Sequence, residues 1–176
     1  MEEKLLLLRP TAEYIPQYEA YRREFLDFGG SMDGAGSLRR LESGRAWLDE
    51  AERFSRPETV PEGKVVSTQF ILVREADDRL LGMLQLRHDL NDYLRRIAGH
   101  IGYSVRPSER RRGYAKRMLA MALDEARKLG LERVMISCSV ENEASRRTIL
   151  SNGGVFESTV LDETDGELLE RYWIEL

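Results

Sequence analysis

The sequence predicts a single α/β domain in which helices cover both faces of a mixed, mostly antiparallel sheet. Two strand-like segments separated by a short polar gap, residues 68–75 and 80–87, predict an antiparallel hairpin. Residues 155–161 and 168–175, which flank a turn, predict a second hairpin. Between the hairpins, a strand, an amphipathic helix and another strand within residues 100–140 predict a β-α-β unit, whose two strands are parallel.

Composition supports one soluble domain over residues 1–176. Hydrophobic residues make up 41% of the chain and charged residues 33%, as in ordinary globular proteins. The net charge of −4 argues against nucleic acid as a partner. No apolar segment approaches the ~20 residues that cross a bilayer, so no membrane association is expected. The single cysteine, Cys138, excludes an internal disulfide and favours a reducing, cytoplasmic location.

The N-terminal third predicts a strand followed by two helices. Residues 4–9 form an apolar run that Pro10 ends, and Thr11 can cap a first helix that ends near Gly29. Residues 29–36 are rich in glycine and are predicted to be flexible, either as a mobile lid over an acceptor or as a surface connection. A second helix is predicted over residues 37–54.

The remaining elements follow from hydrophobic period and from turn residues. Gly82 lies inside a predicted strand and indicates a bulge or a close backbone contact. His88 is expected to be a polar residue at a strand end with an ordinary hydrogen bond, and the alternative is that His88 and Asn91 face an acceptor. Cys138 is interpreted as a small buried residue. The remaining predicted elements are one helical turn within residues 88–96, a helix over 115–129, a strand over 133–140 and a helix over 143–151.

The segment from His100 to Leu129 organises the chain. In its strand, alternate side chains such as His100 and Tyr103 point to opposite faces. A basic turn with Gly113 then leads into a helix whose apolar residues share one face. The first N–H groups of a helix have no intrahelical partner and carry partial positive charge, so this turn predicts a phosphate site.

The same residues carry a family resemblance. The run RRRGYA, from Arg110 to Ala115, resembles the pyrophosphate signature of the GCN5-related N-acetyltransferases (GNAT), and a second block resembling this family runs from Asn142 to Phe156. The resemblance implies a GNAT-like sheet with a splayed parallel strand pair, and acetyl-CoA as cosubstrate. The pantetheine arm of CoA would enter the gap, and its pyrophosphate would lie on the amides of residues 110–116. The residues expected to bind CoA are Tyr103, Ser104, Val105, Arg110, Arg111, Arg112, Gly113, Tyr114, Ala115, Lys116, Asn142 and Ser145.

The catalytic positions depart from the family pattern. Ile149 stands where the family often has a tyrosine that protonates the leaving thiolate, and the usual acidic base falls near Gly99 or His100, where no carboxylate is present. His100 is therefore the candidate base, with a histidine bonded only to backbone as the alternative. Tyr103 and Tyr114 are candidate acids, and the reaction can also rest on positioning and desolvation.

These observations predict an N-acetyltransferase that moves the acetyl group of acetyl-CoA to a primary amine of a small molecule or peptide. One alternative is a non-catalytic acyl-CoA-binding module. Another is a protein whose arginine loop binds nucleic acid, which the acidic net charge disfavours. No metal site is predicted, because no His, Cys or Asp cluster has ligand spacing. A homodimer through the C-terminal strands is a further expectation.

Overall fold

The computed structural model describes residues 3–176. Within this range the strands are β1 (Leu5–Leu8), β2 (Ser67–Arg74), β3 (Arg79–Arg87), β4 (Ile101–Val105), β5 (Arg133–Ser139), β6 (Val155–Asp162) and β7 (Glu167–Glu175). The α-helices are α1 (Ile15–Phe28), α2 (Gly44–Phe54), α3 (Tyr114–Lys128) and α4 (Glu143–Leu150). Short helical turns cover Ala12–Tyr14, Leu94–Ala98 and Pro107–Glu109. The second of these lies at the end of the segment predicted to hold one helical turn.

The strands form two antiparallel sheets, ordered β1-β2-β3-β4 and β5-β7-β6. Both predicted hairpins are present, because β2 pairs with β3 and β6 pairs with β7. No ladder joins β4 to β5, and the two sheets meet at an isolated bridge between Gly99 and Ile136. The predicted fold class is confirmed. The predicted parallel pair, β4 and β5, forms no ladder, so the described strands make two antiparallel sheets instead of one mixed sheet, and the expected splay between β4 and β5 is the boundary between the sheets.

Helices cover both faces of the first sheet, as the patterns predict. On one face, Tyr21 and Phe25 of α1 are completely buried in a cluster with Ile71 and Met83 of the strands. On the opposite face, the apolar stripe of α3 packs on β3 and β4. This second cluster includes Met118, Leu119, Ala122, Ala126, Leu84, Leu86 and Ile101. Burial of these two faces drives the fold.

The region between α1 and α2 differs from the prediction. The second helix begins at Gly44 rather than near residue 37, because Ser43 caps it by accepting a hydrogen bond from the Ala46 N–H at 3.1 Å. The preceding residues form turns that bury Leu38. The predicted flexible segment is likewise packed, with Met32 8% exposed and Ala35 1% exposed.

Gly82 has both features predicted for it. The pairing of β2 with β3 shifts register beside it, between Leu72 and Val73, so β3 carries a bulge. A Cβ atom at Gly82 would also lie 2.8 Å from the carbonyl oxygen of Ser104 on β4. Close approach of the two strands therefore requires glycine here.

Candidate functional site

Backbone direction in β4 leaves one strand edge open. The Arg87 N–H donates to the His100 carbonyl at 2.7 Å, and the Arg106 N–H donates to the Leu81 carbonyl at 2.8 Å. The backbone N–H and C=O groups of the even-numbered residues in this strand therefore point toward β3. By alternation, the backbone groups of Tyr103 and Val105 point away from β3, toward β5. Because no ladder joins β4 to β5, these groups line the gap between the sheets.

Ser104 takes a different position from its two neighbours. Its backbone faces β3 by the same alternation, and its hydroxyl is 2.9 Å from the Tyr21 hydroxyl, with both side chains buried. The three residues predicted to contact the CoA arm therefore divide into two that offer backbone groups to the gap and one that joins the strand to α1.

The gap closes at His100. The His100 N–H donates to the Met135 carbonyl at 2.8 Å, and the Met135 N–H donates to His100 Nδ1 at 2.9 Å. His100 is 6% exposed, and burial lowers the pKa of its imidazole to about 4. Arg87 and Arg95 also lower this pKa, and Asp89 opposes them. Because Nδ1 accepts a hydrogen bond, the neutral ring carries its proton on Nε2 and lacks a free lone pair for a substrate proton. These contacts weigh against a base role, which stays a prediction.

At the other end of the gap lies the basic turn. Gly113 has φ +79°, a left-handed conformation that suits glycine, and a Cβ atom added there would contact nothing within 4 Å. The first bond of α3 runs from the Arg117 N–H to the Gly113 carbonyl at 3.2 Å. The amides of Tyr114, Ala115 and Lys116 therefore have no intrahelical partner, which is the arrangement that a phosphate binds.

The three arginines of this turn have different roles. Arg110 Nε donates to the Val105 carbonyl at 3.2 Å, and its guanidinium lies 5.4 Å and 5.1 Å from the ring centroids of Phe25 and Phe28. These contacts tie the turn to β4 and α1. Arg111 has φ +62° and is exposed beside Gly113. Its side chain can approach a phosphate without breaking an ion pair within residues 3–176.

Arg112 belongs to an ion cluster around a buried carboxylate. Glu109 is 5% exposed and pairs with Arg79 at 2.5 Å, and with Arg74 and Arg112 at 3.3 Å each. Burial alone would raise the pKa of the Glu109 carboxyl, but the hydrogen bond from Arg79 and the nearby guanidinium groups hold it below its ordinary value. The cluster fixes the turn that precedes Gly113.

The far wall of the gap is the start of α4. Asn142 Oδ1 accepts from the Ser145 N–H at 3.1 Å and caps the helix, as expected from the sequence. The Ser145 hydroxyl is 2.7 Å from the Tyr103 hydroxyl, so a side-chain bridge connects β4 to α4. Burial raises the pKa of the Tyr103 hydroxyl above its ordinary value, and the phenol keeps its proton at neutral pH.

The candidate acids separate in space. Ile149 is completely buried and has no proton to give. The Tyr114 hydroxyl accepts a hydrogen bond from Arg74 Nη1 at 3.1 Å, so it belongs to the cluster around Glu109. Cys138 is 6% exposed, and burial raises the pKa of its thiol to about 11. Of the two tyrosines, Tyr103 is the one whose hydroxyl reaches the gap.

The loop between α1 and α2 lies against β4. A Cβ atom on Gly34, which has φ +73°, would lie 2.2 Å from the Gly102 carbonyl oxygen. Gln69 donates to the Gly34 carbonyl at 2.6 Å and holds the loop from the other side. The loop thus forms a packed wall over the first half of β4. His88, by contrast, forms an ordinary hydrogen bond with Thr68 at 2.8 Å.

Two features of the site could not be read from the sequence. The ion cluster joins Glu109 to Arg74 and Arg79, which lie about thirty residues earlier, and a lone acid inside a basic run is the only signal for it. The hydrogen bond between Tyr103 and Ser145 had no signal in the sequence, although both residues were predicted separately.

Within residues 3–176, no group of three or more His, Cys, Asp or Glu side chains can hold a metal. In the same range, no helix is long and apolar enough to cross a membrane.

Comparison with solved structures gives the same fold. The microcin C7 self-immunity acetyltransferase MccE, in complex with acetyl-CoA and AMP, has a TM-score of 0.74 and 16% identity, covering 99% of this chain and 94% of that chain. RimL, a ribosomal L7/L12 α-N-protein acetyltransferase bound to CoA, has a TM-score of 0.72 and 15% identity, covering 99% and 96%. A chimera of Vibrio cholerae spermidine N-acetyltransferase SpeG with hSSAT has a TM-score of 0.67 and 17% identity, covering 97% and 94%.

Fold and site together define an acetyl-CoA-dependent acyltransferase, which confirms the predicted enzyme class. A sequence model described as the Acetyltransferase (GNAT) family matches residues 37–153. The chain therefore belongs to the GNAT acetyltransferase family, and the resemblance seen in the sequence is confirmed. Among curated proteins, none matches the chain by sequence.

Proposed function

We propose that this protein transfers the acetyl group of acetyl-CoA to a primary amine of a small molecule or peptide. The observation that carries the proposal is the open edge of β4. Both backbone groups of Tyr103 and the N–H of Val105 face a gap that the second sheet does not fill, so an extended pantetheine arm can add there as an extra strand. The same gap leads to the free amides beside Gly113, where the pyrophosphate binds in this proposal.

Acetyl transfer sets three chemical requirements. An alkyl amine has a pKa near ~10.4, so it must lose a proton before it attacks the thioester carbon. The C–S bond then breaks, and the thiolate that leaves needs a proton. A backbone N–H of β4 can stabilise the oxyanion that forms at the thioester carbonyl. In our proposal the Tyr103 hydroxyl, held by Ser145, supplies the proton to sulfur. The proton that the attacking nitrogen loses as the amide forms returns through water to the Tyr103 phenolate, so the protons balance.

Proton removal from the amine is the step for which the site offers the fewest candidate residues. The position of the usual acidic base is Gly99 or His100, and His100 Nδ1 is engaged by Met135. We propose that the amine reaches the site neutral or loses its proton to water, with positioning and water exclusion supplying most of the rate.

Calorimetric titration of acetyl-CoA tests the cofactor site. The wild type should bind with micromolar affinity, and Gly113→Glu and Arg111→Glu should each lose binding, because both place negative charge where the pyrophosphate lies. Gly130→Glu is the matched control. Gly130 has φ +81° and open space around it, as Gly113 does, but it follows the opposite end of α3. A folded wild type that does not bind acetyl-CoA would contradict the proposal.

A non-catalytic acyl-CoA-binding module is the second candidate, favoured by the buried Ile149 in place of a tyrosine. The two candidates share the calorimetric result and differ in turnover. An amine-acceptor screen that follows release of free CoA thiol separates them, because only an enzyme releases thiol in an acceptor-dependent way.

Two further expectations accompany the proposal. A homodimer through the C-terminal strands is supported by large apolar side chains that β6 and β7 leave exposed, namely Val155, Phe156, Leu161 and Leu168. Light scattering at several protein concentrations tests the homodimer.

A cytoplasmic location, expected from the lone cysteine, stays a prediction that cell fractionation can check.

A further inference from the structure

Arg87 is a partly buried cation that pairs with no carboxylate among residues 3–176. It ends β3, and its Nη1 donates to two carbonyl oxygens, at 3.3 Å to Ala98 and 3.0 Å to Gly99. Within residues 3–176, its guanidinium forms no ion pair, and Nε and Nη2 donate to no protein acceptor. Burial lowers the pKa of this guanidinium, which shows that its surroundings do not compensate its charge fully.

Charged side chains in protein interiors are normally paired. The other buried arginines near the site follow this rule, since Arg106 pairs with Glu24 at 3.1 Å and Arg74 pairs with Glu109. Two exposed acidic groups act on Arg87, those of Asp33 and Tyr93. Only Asp33 is charged at neutral pH, because the pKa of the Tyr93 hydroxyl is raised above its ordinary value. The Asp33 carboxylate accepts instead from the Ser31 hydroxyl at 2.7 Å. An arginine placed in this way is suited to an anion that arrives with a ligand.

Arg87 lies near the place that the thioester of a bound acetyl-CoA would reach. The basic turn follows the C-terminal end of β4, so an arm that starts at the pyrophosphate runs along β4 toward its first residues. There the gap closes at His100. Arg87 Nη2 lies 3.5 Å from the position of a Cβ atom on Gly102, and the Gly34 backbone nitrogen lies 3.2 Å from the same position. Arg87 therefore lies beside the part of β4 that the thioester would reach.

We infer that Arg87 recognises a carboxylate carried by the acceptor close to its reactive amine, so the substrates are amino acids or similar anionic amines. This inference rests on the proposed function and names its acceptor class. The planar guanidinium can offer Nε and Nη2 together to a carboxylate while Nη1 holds the carbonyls. Docking the carboxylate there orients the neighbouring amine toward the gap.

Matched acceptors test the inference. Each set contains an α-amino acid, its primary amide and the amine that lacks the carboxylate, and kcat/KM is measured from thiol release. The wild type should prefer the carboxylate member by about 10- to 100-fold, the range expected for a charged hydrogen bond. Arg87→Gln should remove this preference, and Arg87→Lys should retain part of it.

The ratio of two acceptors in one enzyme preparation does not depend on the fraction folded, so a purely structural role for Arg87 would leave the ratio unchanged. Arg22→Gln is the control, because Arg22 also bonds a loop carbonyl, that of Arg39 at 3.2 Å. A wild type that prefers amides or polyamines, or an Arg87→Gln variant that keeps the preference, would overturn the inference while leaving acetyl transfer standing. Absence of acetyl-CoA binding would instead contradict the proposed function itself.

Discussion

The two ends of the seam between β4 and β5 differ in how they are held. At the first end, His100 exchanges two hydrogen bonds with Met135, and Gly99 forms the bridge to Ile136. At the second end, β4 and β5 form no ladder, and a side-chain bridge joins Tyr103 to Ser145 of α4. Backbone pairing at one end fixes how the two sheets meet, and its absence at the other end leaves amide groups for a ligand. Stability and function are thus separated along one strand.

The largest effect is expected from disrupting the first end of the seam, where Gly99 and His100 bond to β5; we call this the closed end, and the end at Tyr103 the open end. In Gly99→Ala the Cβ atom would lie 2.3 Å from the Met135 carbonyl oxygen, and φ is +66°. We expect the free energy of unfolding to fall by more than about 3 kcal/mol, measured by urea denaturation. Gly153→Ala is the control, because Gly153 has φ +88° with nothing within 4 Å. It should cost about 1 kcal/mol, from backbone strain alone. Equal losses in the two variants would show that the bridge is not a tight contact.

Acid should weaken the closed end through His100. The folded pKa of about 4 lies below the ordinary value of 6.5, so the native state favours the neutral ring. Its contribution to stability is complete above pH 6.5 and is lost as pH falls toward 4. At about 1.4 kcal/mol per pH unit, the loss approaches about 3 kcal/mol.

The measurement is the free energy of unfolding from pH 7 to pH 4 in the wild type and in His100→Gln, which cannot titrate. The wild type should lose more stability than the variant over this window.

The same variant, His100→Gln, tests whether His100 is the catalytic base. A base role requires His100→Gln to abolish the pH dependence of kcat and to lower kcat by at least about 100-fold, whereas a role in holding the sheets together leaves acetyl transfer largely intact in the folded fraction.

The sequence predicts the closed and open ends unequally. The strand itself, the turn at Gly113 and the cap at Asn142 depend on local pattern, and the structure has all three. The bond from His100 to Met135 spans 35 positions, and no periodicity encodes it. The packed loop escaped prediction for the same reason, because the glycine at 34 is explained by its contact with Gly102 and not by freedom of the chain.

At the open end, Tyr103→Phe should lower kcat by about 10- to 100-fold while acetyl-CoA binding changes little, because the ring stays and only the proton donor is removed. Tyr114→Phe is the matched control. Its hydroxyl bonds Arg74, so its loss should affect stability and not the rate. If Tyr114→Phe lowered kcat and Tyr103→Phe did not, the acid would be assigned to the wrong tyrosine.

The smallest effect is expected at Cys138, which lies beside the open end. The thiol is buried, and its pKa is raised to about 11, so it is protonated at neutral pH and is a poor nucleophile. We expect Cys138→Ala to lower the free energy of unfolding by about 1 kcal/mol and to leave kcat/KM within about threefold of the wild type. Mass spectrometry after incubation with acetyl-CoA alone should show no acetylated protein. An acetyl group on Cys138 would instead indicate transfer through an acyl-enzyme, and the direct attack of the amine on the thioester would have to be abandoned.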